Sequence, residues 1–517
     1  MNGAQSLIRT LVDSGVDVCF ANPGTSEMHF VAALDDVPEM RGVLALFEGV
    51  VTGAADGYGR MADKPAATLL HLGPGMVNGM ANLHNARRAH TPIVNVIGDH
   101  ALYHKGFDAP LESDIDSLAE WTHGWNRTST DSAVIGRDAA DAVAAAMTAP
   151  GRLANLTLPA DVSWGDGGVV AAPVEPLAES IVDESVIADV AEVLRSGESA
   201  VLLLGKGVTR ERGLRAASRI SVATGAKVFV ETFPARFERG EGLPAIDRLG
   251  YLAEQVQWQL TDVKHLILVG SKAPVSFFAY PGKASELTPD GCKVHTLAPL
   301  GSDTADALDR LADDVAADAE PVLQQASRPA LPSGVITAQN WAEVVGALLP
   351  AGAIISDEAN TSGLMIPMVT VGGPRHDVLT LTGGAIGQGL PVGVGAAIAC
   401  PDRPVICLQS DGSAMYTISA LWTMARENLN VTTVILNNRA YAILRMELSR
   451  VGAEGAGPKA KSLLDLSTPD MDFAAIAQGM GVPATRATTA EELAEQFAKA
   501  LAEPGPHLID AAVPSLI

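Results

Sequence analysis

Asp411 and Asn438 are the two side chains whose types and spacing first suggest chemistry. Asp411 lies in "ICLQSDGSAM", where a buried-looking strand ends in Ser-Asp-Gly-Ser, and Asn438 closes the next such strand, "VTTVILNN". Strand ends of α/β domains are where ligands gather. A hard cation such as Mg²⁺ takes octahedral oxygen ligands, with one or two protein carboxylates or amides beside phosphate oxygens. An Asp at one strand end and an Asn at its neighbour would supply two such oxygens across one crevice. Gly412 would let backbone approach a phosphate closely, and Ser413 is expected to open a helix whose N-terminus favours the anion. Asp-Gly and Asn-Asn are also ordinary turn formers, so the strand ends alone leave turn and site equally open.

The elements that must hold such a site fall into three blocks. A chain of 517 residues holds about three domains at roughly 150 residues each. Apolar residues make up 47% and charged residues 19%, which suits large buried cores and excludes disorder. The net charge of -24 argues against a nucleic-acid partner, which would need a basic face. The four cysteines (Cys19, Cys292, Cys400, Cys407) form no CxxC, so a reducing, cytoplasmic setting is expected rather than a disulfide scaffold. "MNGAQSLIRTLVDSGVDVCF" reads as an amphipathic helix entering a strand, without the charged start and cleavable apolar core of a signal peptide. Apolar runs such as "LPVGVGAAIAC" are too short and glycine-rich to span a bilayer. No membrane partner is expected.

Residues 1–165 alternate short apolar runs ("GVDVCFANPG", "AATLLHLGPG", "TPIVNVIGDH") with helical stretches, the rhythm of a parallel sheet. After the linker "GDGGVVAAPVEPLAES", residues 181–318 repeat the rhythm, and after "DAEPVLQQASRPALPSG" residues 335–517 repeat it again. The expected fold is α/β, with three consecutive doubly wound parallel-sheet domains. The "GKG" of residues 205–207 could be a nucleotide-binding turn, but it lacks the third glycine of the dinucleotide fingerprint.

Asp-Gly-Ser followed, 27 residues after the Asp, by the second Asn of Asn-Asn resembles the thiamine-diphosphate signature of the pyruvate-decarboxylase and acetolactate-synthase family. The resemblance covers the whole chain, in the order pyrimidine-binding, central Rossmann-like and diphosphate-binding domain. It implies Mg²⁺ held by Asp411, Asn438 and the carbonyl of Ala440, with diphosphate contacts from Gly412, Ser413, Asn360, Thr361 and Tyr441. Ser410 stands where the family has glycine.

In the first domain "LALFEGVVTGAADGYGR" offers Glu48 at a strand end. A carboxyl group kept protonated by a dry pocket can hydrogen-bond a ring nitrogen. The resemblance makes Glu48 the residue that drives the cofactor's aminopyrimidine to its imino tautomer; without it, Glu48 would read as an acidic helix start. "LTGGAIGQGLP" resembles the segment that wedges the cofactor into a bent form, which implies Ile386 as the wedge and the Gly384 carbonyl as acceptor for the amino group.

"NPGTSEMHF" and "LLHLGPGMVNGMANLHNARRAHTPIVNVIGD" are similar to benzoylformate decarboxylase, which implies catalytic roles for Thr25 and His71. The second histidine of that enzyme is missing from the matching stretch "APVSFFAYPG", where Phe277 and Phe278 stand. The Phe-Gln pair of full-length acetolactate synthases is replaced by Pro110 and Leu111, and their glutamine gives way to Asp99, His100 and His104. Phe277, Phe278, Ile443 and Met446 suggest an apolar pocket or ordinary core. Overall the chain most resembles short actinobacterial homologues of the acetolactate synthase large subunit.

The reading is a thiamine-diphosphate and Mg²⁺-dependent enzyme on a small 2-keto acid, with decarboxylation followed by carboligation. A benzoylformate-decarboxylase-like activity and a low-turnover accessory paralogue are the alternatives. Flavin (FAD) is doubtful, with "GKG" the only candidate turn. The resemblance implies a homodimer or homotetramer with active sites at subunit interfaces, and leaves the need for a regulatory subunit open.

Overall fold

The computed structural model describes residues 1–453 and 457–515. The first sheet contains β1 (Val18–Ala21), β2 (Arg41–Leu44), β3 (Ala66–Leu70), β4 (Ile93–Asp99), β5 (Trp125–Thr128) and β6 (Leu153–Pro159). All pair in parallel, in the order β2-β1-β3-β4-β6-β5. The central segment supplies β7 (Ala200–Leu204), β8 (Lys227–Val230), β9 (Phe237–Arg239), β10 (Asp247–Arg248), β11 (His265–Val269) and β12 (Lys293–Ala298). Five of these form a second parallel sheet, ordered β10-β8-β7-β11-β12. The third sheet is built from β13 (Ile354–Glu358), β14 (His376–Thr380), β15 (Val405–Ser410), β16 (Val431–Asn437), β17 (Ala484–Ala487) and β18 (His507–Ala512). Its order, β17-β18-β16-β15-β13-β14, is the first sheet's order read from the other end. The expected three parallel α/β sheets are therefore present, and the outer two share one topology.

One strand crosses the boundaries read from composition. β9 leaves the central sheet and pairs antiparallel with β14, Phe237 opposite Val378 and Arg239 opposite His376. Nothing in "ARFERG" marks this, because a three-residue strand has too little periodicity to show which sheet it joins.

Each sheet is buried on both faces. In β3, Ala66 and Leu70 enter one core while Ala67 and Leu69 enter the opposite one, as the two-residue period of a strand requires. In β15, Val405 and Cys407 face one core and Ile406 and Leu408 the other. The first of these cores is continuous between the first and third sheets. Its centre is the crossing of the helices Glu48–Ala62 and Gly389–Ala399. A Cβ placed on Gly395 would lie 1.9 Å from the Ala54 carbonyl oxygen, and one on Gly57 2.2 Å from that of Val392. The two backbones approach so closely that only glycine fits at either point. This explains the small-residue composition of both helices.

Arg60, near the end of the helix that begins at Glu48, joins all three blocks. Its guanidinium grips Asp56 at 2.8 and 2.5 Å and donates to the carbonyls of Thr380 (2.8 Å) and Ala235 (3.3 Å). Lys206, the middle residue of the "GKG" turn, donates to the His90 carbonyl of the first domain. That side chain is thus an interdomain tie. Among the described residues no helix is long and apolar enough to cross a membrane.

Candidate active site

In an open α/β sheet the ligand crevice lies at the carboxyl ends of the strands, where the strand order reverses. In the third sheet that point is between β13 and β15, and Asp411 follows β15 directly. Asp411 is buried and opens a single helical turn, Asp411–Ala414. The expected helix therefore starts at the Asp rather than at Ser413, and it ends after one turn. The Asp411 carboxylate accepts the amide of Gly412 at 2.8 Å and that of Arg439, in the loop after β16, at 2.6 Å. Burial outweighs these bonds and pushes its carboxyl up to about 6. Arg439 has φ 56; this left-handed kink turns the chain so that Asn438 Oδ1 accepts the Ala440 amide at 3.0 Å. The kink brings Asp411, Asn438 and Ala440 to one side of the strand ends.

The diphosphate side of the cluster is equally tight. A Cβ on Gly412 would lie 2.5 Å from the Tyr441 ring, so Tyr441 closes over a bare backbone segment. Ser413 Oγ donates to the Ser410 carbonyl (3.2 Å) and accepts from Gln409 Nε2 (2.7 Å). Asn360 follows β13 in the left-handed region (φ 49) and donates to Ser410 Oγ at 3.0 Å. Thr361 lies beside it in the turn Asn360–Gly363. A carboxylate, an amide oxygen and a backbone strand stripped of side chains fit a hard cation bearing phosphate. Among the described residues no group of three or more His, Cys, Asp or Glu could hold a metal without such added oxygens.

Glu358, at the end of β13, was not singled out from the sequence. It is buried and accepts the amides of Gly387 (2.7 Å) and Gly389 (2.6 Å) and Gln409 Nε2 (2.9 Å). Burial pushes this carboxyl up to about 7. Its bonds fix the segment that carries Gly384 and Ile386. Gly384 is exposed with φ 75, and Ile386 is half-buried. The sequence shows a Glu at a strand end; that it turns inward to receive a loop 29 residues away is a tertiary fact.

In the first sheet the order reverses between β1 and β3. Glu48 is buried at the start of its helix and accepts from Asn78 Nδ2 at 3.0 Å. His71 follows β3; its Nδ1 lies 2.9 Å from Glu27 Oε2, and the Glu27 side chain is fully buried. Ser26 Oγ donates to Glu27 Oε1 at 2.6 Å and lies 3.4 Å from His71 Nδ1. Thr25 is exposed at the start of the same turn. The polar partners of His71 are therefore Ser26 and Glu27, one and two residues beyond the threonine named from the sequence. Glu27 was missed because an acidic residue in "GTSEM" reads as a helix start, and its carboxylate does cap the Gly24 amide at 2.6 Å.

The His100 and His104 rings lie with centroids 5.4 Å apart and planes tilted by 53°, and His100 Nε2 is buried with no partner among the described residues. The neighbouring loop is stapled by Lys105, which bridges Asp99 (2.6 Å) and Glu112 (2.9 Å). Phe277 is not core: it is 44% exposed and packs on Tyr251 and Phe233 at 4.8 and 5.5 Å. Its loop leans on the helix Ala442–Arg450, where the Tyr280 ring lies 5.2 Å from the Arg450 guanidinium. Ile443 and Met446 are half-buried on that helix.

Two pseudo-equivalent α/β sheets with an oxygen cluster at one switch point and a buried glutamate at the other define a cofactor-dependent enzyme of the thiamine class. Residues 1–120 match the thiamine pyrophosphate enzyme N-terminal TPP binding domain, and residues 360–511 match its C-terminal TPP binding domain. The chain is 61% identical over 518 residues to a Mycobacterium tuberculosis protein named "Putative acetolactate synthase large subunit IlvX", covering 100% of each. It is 30% identical over 527 residues to benzoylformate decarboxylase of Pseudomonas aeruginosa, covering 96% of each. Among solved structures, the thiamine diphosphate-dependent 4-hydroxybenzoylformate decarboxylase of Rhodococcus jostii RHA1 superposes with a TM-score of 0.86 at 26% identity, covering 99% of each chain. The chain belongs to the thiamine pyrophosphate enzyme family, and thiamine diphosphate is its cofactor.

Proposed function

We propose that the protein is a cytoplasmic, Mg²⁺-requiring enzyme that decarboxylates a small 2-keto acid and joins the remaining acyl carbon to a second carbonyl compound, as an acetolactate synthase does. Bound thiamine diphosphate supplies the carbon nucleophile and the electron sink for loss of CO₂. Asp411, Asn438 and the Ala440 carbonyl hold the cation, while Gly412, Ser413, Asn360, Thr361 and Tyr441 hold the diphosphate. With the cofactor bound, Glu48 would hydrogen-bond its pyrimidine ring, and the Gly384 carbonyl and the Ile386 side chain would contact it from the third domain. His71, oriented by Glu27, faces the keto acid, with Thr25 beside it.

The observation that carries the carboligase reading is the central loop beside the helix Ala442–Arg450. Val275, Ser276, Phe277, Phe278 and Ala279 contain no ionisable side chain, and the Tyr280 hydroxyl is engaged by Glu447. This stretch offers no proton donor where benzoylformate decarboxylase has its second histidine, which would slow protonation of the acyl carbon and leave it for a carbonyl acceptor. The Glu27–His71 pair favours a second reading, a benzoylformate-type decarboxylase in which that imidazole moves the proton.

The site needs a second copy of the chain. Among the described residues no hydrogen bond joins Glu48 to Asp411 or Asn438, and apolar side chains stand uncovered around both halves. Leu46 and Val77 are 50% and 52% exposed near Glu48, and Leu364 and Tyr416 are 71% and 55% exposed near the diphosphate cluster. Patches of this kind mark association surfaces, and a homodimer that brings Glu48 of one copy to Asp411 of the other would cover both.

The test is incubation of the purified protein with thiamine diphosphate and Mg²⁺ and, separately, pyruvate, 2-ketobutyrate or benzoylformate, following CO₂ and products together. Acetolactate from pyruvate is the expected outcome. Benzaldehyde from benzoylformate alone would replace this reading with the decarboxylase. Exchange of the cofactor's C2 proton no faster than in free solution would make the chain an accessory paralogue.

A further inference from the structure

The segment Leu381–Gly389 carries Gly384 and Ile386, and it is held from outside its own sheet as well as by Glu358. The helix Leu72–Ala89 of the first domain presents three polar side chains to it. Asn85, fully buried, meets Ala385 with both ends of its amide: Nδ2 donates to the Ala385 carbonyl at 2.8 Å, and Oδ1 accepts the Ala385 amide at 3.1 Å. The Asn85 carbonyl accepts from Thr382 Oγ1 at 2.8 Å. His84 Nε2 lies 3.1 Å from the Gly383 carbonyl. Asn82 Nδ2 donates to the Gly49 carbonyl at 2.7 Å and reaches the Gly387 carbonyl at 3.4 Å. Asn85 Nδ2 also donates to Asn82 Oδ1 at 3.0 Å, so the two amides lock each other's orientation.

We infer that Asn85 is a positioning residue for the cofactor: through its paired bonds to Ala385 it fixes the neighbouring Gly384 carbonyl and Ile386 side chain, which would contact thiamine diphosphate. The inference deepens the thiamine reading above and rests on it. A carboxamide carries a donor and an acceptor on neighbouring atoms, so it can meet the N–H and the C=O of one residue at once. Glutamine is a methylene too long for the same distances, and aspartate loses the donor and sets a carboxylate against the Ala385 carbonyl. The "HN" of the "HNARRA" stretch thus has a role distinct from catalysis by Glu48. Asn82 adds a second link, since it touches the residue after Glu48 and the residue after Ile386 in the same chain.

The experiment compares Asn85→Asp, Asn85→Ala and Thr382→Val with wild type. The first readout, on protein without cofactor, is amide hydrogen exchange across residues 381–389. Loss of the paired bonds is expected to speed exchange there about tenfold in both Asn85 variants, and less in Thr382→Val. The second is exchange of the C2 proton in protein saturated with thiamine diphosphate and Mg²⁺, with Glu48→Gln run alongside. Asn85→Asp is expected to slow it about tenfold or more at nearly unchanged cofactor affinity. Wild-type exchange across the segment and at C2 in the Asn85 variants would overturn the inference. If neither Asn85→Asp nor Asn85→Ala folds, Asn85→Gln, which keeps the carboxamide but displaces it by a methylene, decides: wild-type segment exchange in it then overturns the inference. If Glu48→Gln leaves C2 exchange at the wild-type rate, the thiamine reading of Glu48 fails, and the amide-exchange result still judges Asn85.

Discussion

Glu27 holds His71 by its Nδ1. The carboxylate oxygen 2.9 Å from that nitrogen also takes the Gly24 amide, and its side chain is sealed from solvent. A buried carboxylate at Nδ1 favours the proton there and leaves Nε2 free. Such orientation is what a general acid–base imidazole requires.

Glu27→Gln should therefore lower kcat by about 10–100-fold while cofactor affinity stays within a few-fold. Gly98→Ala is an independent route to the same phenotype, because a Cβ there would lie 1.7 Å from Glu27 Oε1 and push the carboxylate aside. Steady-state kinetics with the substrate found in the product assay checks both. Unchanged kcat in both variants would remove His71 from the chemistry.

The cation site should weaken in acid. Burial raises the Asp411 carboxyl to about 6, so the protonated form gains as pH falls through that value. Only the carboxylate binds metal; below about pH 6 the apparent Mg²⁺ affinity should drop about tenfold per pH unit. Without metal the sign is the usual one for a raised acid: its stabilising contribution is complete near the unfolded value of 3.8 and fades as pH rises through 6. Calorimetric titration of Mg²⁺ at several pH values, with diphosphate cofactor present, tests this. Asp411→Asn should bind weakly and show no such slope.

Arg60→Ala leaves the Asp56 carboxylate buried without its partner, since the two side chains are 1% and 0% exposed. The expected destabilisation is about 3–5 kcal/mol. Gly395→Ala, which forces a Cβ into the helix crossing, should cost about 1–3 kcal/mol. Denaturant midpoints measure both, and a neutral Gly395→Ala would mean that the two helices separate more easily than their 1.9 Å conflict implies.

Glu358→Ala strands three donors, the amides of Gly387 and Gly389 and the Gln409 amide. Each unpaired buried group costs about 1–3 kcal/mol. Gln409 also bonds Ser413 in the diphosphate cluster, so affinity for thiamine diphosphate should fall at least tenfold. Glu358→Gln retains one acceptor and should lie between the two. Fluorescence titration of the cofactor separates this from global unfolding.

The strand-end residues were legible in the sequence because their signal is local. Asp411, Gly412 and Ser413 are consecutive, and β15 and β16 are neighbours in sequence as well as in the sheet. Glu48 was legible for the same reason, as a strand end before a glycine-rich helix. What was not legible depends on pairs far apart in the chain. Asn85 and Ala385 are 300 residues apart, and nothing in either stretch says which peptide unit an asparagine will meet. Glu27 and Glu358 were hidden differently: each looks like an exposed acid near an element's end, and only burial gives it a partner. For the aromatic residues Phe277 and Phe278 the sequence left an apolar pocket or core open, and their exposure excludes only the core.

The loan of β9 to the third sheet has a practical consequence. Residues 237–239 cap the β14 edge, and edge strands left bare invite pairing with other chains. A fragment beginning at residue 335 would carry the whole diphosphate cluster yet expose that edge along its length. The part of the chain that matches no cofactor-binding domain is thus also what covers that edge of the cofactor domain, and any dissection of the enzyme must carry Phe237–Arg239 with the domain it shields.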